Sequence, residues 1–231
     1  MKILRNIQII CTKLILLLFI KLRSIPFLTF LLFHVNINTR LRIHWDFTSL
    51  ILKKSLKIYL KPNYNVLEIG TGPYALLSIW AKKNFNCEIT ACDIQNSYVK
   101  NAVNTAKING VELDIIQSDL FDNVSGKYEL IFFNTVYIPY KIGIDYGINK
   151  DHLFETDWCG GQTGYETIEL FLKSATDFLK SNGIILLGFN EKYVKEISVS
   201  QICRSYNYSI QDNIHSLMNP SKVIVLKRRN L

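Results

Sequence analysis

An α/β fold with an open, mostly parallel sheet is predicted by three observations. Short apolar runs at 65–69, 87–93, 113–117 and 128–133 alternate with helix-like stretches. The first run passes into Glu68-Ile69-Gly70-Thr71-Gly72-Pro73-Tyr74-Ala75, where two glycines permit a sharp turn and a close backbone approach before a helix over 74–83. Polar residues Asp93, Asp119 and Asn134 stand at the ends of the next three runs. Alternating strand and helix patterns make βαβ units. In an open parallel sheet the carboxyl ends of the strands are where ligands bind.

The remaining elements follow in order. Apolar runs Leu14 to Ile20 and Ile25 to Phe33 are split by Lys21, Arg23 and Pro26. Neither reaches the roughly 18 uninterrupted residues of a membrane-spanning helix. Residues 1–39 are therefore expected to be a basic apolar segment that lies in a membrane interface or docks on protein, with 40–231 as the ligand-binding domain. Arg40 to Leu60 reads as the helix before the first strand, with Trp45 to Thr48 roofing the pocket. Tyr140 to Asp157 is a long insertion, expected as a lid facing the substrate. Gly160, Gly161 and Gly164 form a turn before a helix over 165–180, with Gly160-Gly161 closing near the ligand, and runs 183–189 and 222–227 close the sheet as an antiparallel pair.

The glycine turn fits two ligand classes. Gly70 to Ala75 matches G-x-G-x-x-G/A, and Asp93 lies about 20 residues on, where a dinucleotide ribose would be held. Glu68 tips the balance towards the second and leaves the dinucleotide as an alternative, because a carboxylate repels a pyrophosphate and attracts the ammonium and sulfonium of S-adenosylmethionine. With its acid, Gly-x-Gly turn, acid ending strand 2 and acid after strand 3, the chain resembles the class I S-adenosylmethionine-dependent methyltransferases from about Asp46 to Arg229. The resemblance implies a Rossmann-like fold with a seven-stranded, mostly parallel sheet and a C-terminal antiparallel pair. It implies that Glu68 meets the methionine ammonium, Gly70 and Gly72 lie along the methionine portion, and Asp93 accepts the ribose hydroxyls. Asp119 would accept from the adenine amine, with Ile94 and Leu120 against the ring. The family's third glycine is missing here, with Tyr74 and Ala75 in that stretch.

After the fourth run come Asn134-Thr135-Val136-Tyr137-Ile138-Pro139 and then Trp158-Cys159-Gly160-Gly161-Gln162-Thr163-Gly164. Together these resemble the release-factor glutamine methyltransferases and their relatives acting on base amines, whose strand ends in Asn-Pro-Pro-Tyr. That implies methylation of a planar nitrogen, a protein glutamine amide or a nucleic-acid base amine. Asn134 Oδ1 and the carbonyl of residue 135 would accept the two protons, and Tyr137 would pack on the planar group. Thr135 and Val136 replace two prolines, so the acceptor geometry is less preset. A small-molecule O- or N-methyltransferase and a catalytically silent cofactor-binding adaptor stay open as alternatives.

The chain of 231 residues carries a net charge of +8. Residues 1–61 hold seven lysines, four arginines and one aspartate, which is +10 and leaves −2 for the remainder. The basic front suits RNA phosphate or an anionic membrane surface, with peripheral membrane contact expected through residues 1–33, and the resemblance implies a protein or RNA substrate. Cysteines at 11, 87, 92, 159 and 203 and histidines at 34, 44, 152 and 215 show no metal-ligand spacing, so no metal is expected and reduced thiols in a cytoplasmic protein are the default. His152, in the insertion, could serve as a base.

Overall fold

The structure, a computed structural model, describes residues 21–150, 154–216 and 219–229. The apolar run Leu14 to Ile20, Cys11 and His152 lie outside the described residues.

Seven strands form one sheet: β1 (Asn65–Ile69), β2 (Glu88–Asp93), β3 (Asp114–Gln117), β4 (Tyr128–Asn134), β5 (Leu179–Asn190), β6 (Tyr208–His215) and β7 (Ser221–Arg228). Their spatial order is β3-β2-β1-β4-β5-β7-β6, with β1 to β5 parallel and β7 antiparallel to both β5 and β6. The order reverses between β1 and β4, which opens a crevice at their carboxyl ends. Helices α2 (Phe47–Tyr59), α3 (Leu76–Asn84) and α4 (Asn96–Ile108) cover one face, and α6 (Glu166–Ala175) and α7 (Glu196–Ser205) the other. Two shorter helices, α1 (Pro26–Phe33) and α5 (Tyr140–Tyr146), complete the set used below.

The period-2 pleat sorts the strand residues between these layers. Val66, Leu130, Phe132 and Leu186 pack with α2 and α3, while Leu67, Ile131, Phe133 and Leu187 pack with α6 and α7. Because both faces are covered, the central strands read as continuous apolar runs, as the sequence showed.

Three departures from the sequence expectations have physical causes. The helix expected over 40–60 begins only at Phe47, because Asp46 caps it by accepting from the Ser49 amide, and Ser49 returns the bond to the Asp46 amide. Strand β6 was not read because it is an edge strand in which only Tyr208 and Ile214 are buried, with a bulge between Ile210 and Asp212. The helix expected to reach 180 stops at Ala175, and Leu179 already belongs to β5. The expected antiparallel closure by 183–189 and 222–227 is present as β5 and β7.

Helix α1 is tied to the same core. Its Thr29 and Phe33 are buried, Trp45 Nε1 donates to Thr29 Oγ1 at 3.0 Å, and the Phe33 and Trp45 rings lie 6.0 Å apart. Among the described residues no helix is long and apolar enough to cross a membrane.

Candidate active site

A cavity of about 920 Å³ opens at the crevice between β1 and β4. Glu68, Gly70, Gly72, Asp93, Ile94, Asp119, Leu120, Asn134 and Tyr137 all line it. Each comes from the carboxyl end of a strand or the loop behind it, so the fold brings these sequence-selected residues to one wall.

The glycine turn needs its glycines for different reasons. Gly70 has φ of +65°, and a Cβ there would lie 3.0 Å from the Phe133 ring. Gly72, at φ of +68°, has nothing within 4 Å of that position, so its backbone faces open space where a ligand can approach. Ala75 starts α3 with φ of 44°. It occupies the stretch where the pattern carries its third glycine, in a left-handed conformation that glycine adopts without strain.

Burial governs the two acids beneath this turn. Glu68 is 5% exposed, accepts from Thr71 Oγ1 at 2.7 Å and from the Ser78 hydroxyl, and has its pKa pushed up to about 7, chiefly by desolvation. Asp93 accepts from the amides of Gly72 at 2.8 Å and Gln95 at 3.0 Å, and burial raises its pKa to about 6, with the charge of Asp157 adding to the rise. Two carboxylates whose charge is costly favour a cation beside them and disfavour a pyrophosphate. With Gly72 leaving open space, this donor set fits S-adenosylmethionine. Ile94, 37% exposed, offers apolar surface on the same wall, and Asp119 is exposed at its edge.

Past β4 the Asn-Thr-Val-Tyr stretch is held from three sides. Thr135 donates both its amide, at 3.1 Å, and its hydroxyl, at 2.8 Å, to the Gly188 carbonyl of β5. These two bonds, which proline could not make, replace the rigidity of the missing ring. Asn134 Nδ2 donates to Asp46 Oδ1 and to Ser49 Oγ, each at 3.2 Å, while its Oδ1 is buried with no hydrogen-bond partner. An orphaned buried acceptor costs about 1–3 kcal/mol, a cost that a donor reaching it would relieve. The Tyr137 hydroxyl donates to Asp46 Oδ2 at 2.9 Å, and its ring stacks on Tyr193 with centroids 6.0 Å apart. Desolvation and the Asp46 charge push the phenol well above its ordinary pKa, so it stays protonated.

The glycine-rich loop that follows closes on this stretch. A Cβ on Gly160 would lie 2.7 Å from the Val136 carbonyl, and one on Gly164 would lie 2.5 Å from the Tyr137 carbonyl. The Ile138 amide donates to the Trp158 carbonyl and the Gly160 amide to the Ile138 carbonyl, forming a parallel bridge between Ile138 and Cys159. Trp158 is buried against Gly143, where a Cβ would lie 1.9 Å from the indole. The insertion docks over the Asp93 side of the cavity: Gln95 Nε2 donates to Thr156 Oγ1 at 3.0 Å, and Tyr98 donates to Asp157 Oδ2 at 2.7 Å. His44, 3.9 Å from Asp157, has its pKa lowered to about 3 by burial and by Arg23 and Arg42, and so stays neutral.

Sequence reading passed over Asp46 as a contact of Asn134, along with Ser49, Ser78, Tyr98, Asp157 and Tyr193. Only the Asp46-x-x-Ser49 cap carried a local signal. Cys159 is half-buried with its thiol pKa raised by burial, against a reactive role, and no metal-binding cluster occurs among the described residues.

Comparison with known proteins supplies the deciding observation: the family model for the methyltransferase small domain matches residues 42–143. Over those residues, less than half of its length, the chain is similar to that domain. A protein of Methanocaldococcus jannaschii named as a protein N5-glutamine methyltransferase is 37% identical over 137 residues, covering 59% of this chain and 66% of that one. The release factor glutamine methyltransferase of Haemophilus influenzae is 28% identical over 61% of this chain and 53% of its own length. That of Streptococcus pneumoniae is 29% identical over 69% and 57%. The chain thus spans less than two thirds of the length of these curated relatives. A solved methyltransferase from Pyrococcus furiosus superposes with a TM-score of 0.65 at 20% identity, covering 89% of this chain and 94% of that one, which shows the shared fold. The seven-stranded sheet with its C-terminal antiparallel pair is thus a fold shared with solved methyltransferases.

Proposed function

We propose that this protein transfers the methyl group of S-adenosylmethionine to the side-chain amide nitrogen of a protein glutamine, within the cytoplasm. The observation that carries the reading is the orphaned, buried Asn134 Oδ1 on the wall of the cavity that also holds Glu68 and Asp93. The names of the relatives support an amide on a protein as the acceptor.

Glu68 would hold the ammonium of the cofactor, Asp93 the ribose hydroxyls, and Ile94, Asp119 and Leu120 the adenine. When bound, the cofactor supplies an electrophilic methyl on a sulfonium. An amide nitrogen is a poor nucleophile because its lone pair is delocalised, so this chain's task is placement. Asn134 Oδ1 accepts one amide proton in a spot closed to bulk water, where a single hydrogen bond counts for most. The same acceptor stabilises positive charge growing on the nitrogen. Tyr137, fixed through its hydroxyl, walls the planar group.

Calorimetry with S-adenosylmethionine and NAD, followed by methyl transfer to a purified bacterial release factor, tests the reading. Asp93→Ala is expected to weaken cofactor binding by about tenfold or more, the loss of one charge-assisted contact. Asn134→Ala should keep the affinity and lose about 100-fold or more in turnover. Transfer by both variants at the unaltered rate would sink the assignment, and transfer to an RNA base amine alone would move the acceptor class.

A second proposal concerns the front of the chain: its apolar edge meets an anionic membrane surface. It is supported by the exposed side chains of Leu22, Ile25, Phe27, Phe30 and Leu31 and by the charge of +10 over residues 1–61. Co-sedimentation with phosphatidylglycerol vesicles tests it.

A further inference from the structure

We propose that Asp46 is a positioning residue, whose carboxylate decides which atom of the Asn134 amide is left for the methyl acceptor. The proposal rests on the reading of Asn134 given above. Asp46 stands where the start of α2 meets the loop after β4. Its Oδ1 accepts from the Ser49 amide at 2.8 Å, the Ser49 hydroxyl at 3.0 Å and Asn134 Nδ2 at 3.2 Å. Its Oδ2 accepts from the Tyr137 hydroxyl at 2.9 Å. One carboxylate therefore clamps both polar side chains of the Asn-Thr-Val-Tyr stretch.

The consequence follows from donor inventory. An ionised carboxylate only accepts, so the end of the Asn134 amide that faces it must be the NH2 group. Turning the amide over would set its carbonyl against the carboxylate and forfeit the bonds to Asp46 and Ser49. The buried, partnerless Oδ1 is thereby fixed as the atom that remains to meet an acceptor N–H. Without Asp46 both amide orientations become available, and one of them presents a donor where an acceptor is needed.

Asp46 also caps α2, so the test must separate the two roles. Serine is an equally good cap for the Ser49 amide but lacks the second oxygen and the reach to Asn134 and Tyr137. In the full chain, Asp46→Ser is expected to lower the thermal midpoint modestly, because the Tyr137 hydroxyl and Asn134 Nδ2 lose their acceptor, and to keep the affinity for S-adenosylmethionine. Methyl transfer to a purified release factor should fall about 100-fold in kcat, the cost of a misplaced reactant. Asp46→Asn, which still offers one oxygen, should lose less. The independent readout is the Asn134 side-chain NH2 signal in a 15N-labelled sample, assigned by its disappearance in Asn134→Ala, which should move in Asp46→Ser. An unmoved signal, or a lowered midpoint with unchanged kcat, would overturn the proposal. If Asp46→Ser fails to fold, Asp46→Asn and Tyr137→Phe carry the same comparison. Should the unaltered protein transfer no methyl to the release factor, the functional reading falls, while the NH2 signal still decides the role of Asp46.

Discussion

Glu68 shows how one buried carboxyl links stability to ligand binding. Its pKa rises from 4.5 to about 7 because desolvation outweighs the two hydroxyl bonds from Thr71 and Ser78. A carboxyl with a folded pKa above its unfolded value destabilises the fold when it ionises. The cost is absent below about pH 4.5, grows as pH rises towards 7, and is complete above it, at roughly 3 kcal/mol. Glu68→Gln should therefore raise the thermal midpoint at pH 8 and leave it nearly unchanged at pH 4.5. The ligand dependence has the opposite sense: a cationic ligand prefers ionised Glu68, so affinity for S-adenosylmethionine should weaken as pH falls from 8 to 6. That slope should flatten in Glu68→Gln, leaving only the part due to Asp93, whose pKa is about 6. Calorimetry at four pH values distinguishes the cases, and a slope equal in both proteins would remove Glu68 from the ammonium site. The acids were legible in the sequence because each ends an apolar run; their shifted pKa values were not, since burial depends on what packs above them.

At the scale of elements, the junction between β4 and β5 replaces a sequence motif by tertiary hydrogen bonds. Reading Asn134-Thr135-Val136-Tyr137 against Asn-Pro-Pro-Tyr suggested a looser turn. Instead, the Thr135 amide and hydroxyl converge on the Gly188 carbonyl. Thr135→Pro, although it restores the more usual residue, should destabilise the protein by about 1–3 kcal/mol, because it removes both donors from a buried carbonyl. Chemical denaturation checks this, and an unchanged midpoint would show that the ring compensates. The same junction explains the glycines at 160 and 164. Their missing Cβ atoms admit the carbonyls of Val136 and Tyr137, so they shape the loop that follows β4. Sequence spacing could not pair those segments, which lie more than twenty residues apart and meet through the bridge between Ile138 and Cys159, the bond from the Tyr140 amide to the Gly161 carbonyl and the close approach of the glycines.

Across the whole molecule, α1 joins a buried face to an exposed apolar one. Phe33 is fully buried and Thr29 is bonded to Trp45, whereas Phe27 is 71% and Leu31 58% exposed. Because these two side chains stand clear of the core, Phe27→Asp with Leu31→Asp should leave stability within about 0.5 kcal/mol. If this edge meets an anionic bilayer, the same pair should abolish co-sedimentation with phosphatidylglycerol vesicles at low salt. Equal sedimentation of variant and unaltered protein would rule it out. The sequence by itself determined the α/β class, the strand runs of β1 to β5 and of β7, the glycine turn and the acids at the strand ends, because these depend on local periodicity and on residues that only one backbone geometry suits. Tertiary structure decided the rest. It set the edge strand β6, which has little apolar signal of its own, and the docking of the insertion over Asp93. It also made the contact of Asp46 with Asn134 and Tyr137. These are relations between segments 60 to 90 residues apart, and only the packed sheet and its helices bring such partners within hydrogen-bond reach.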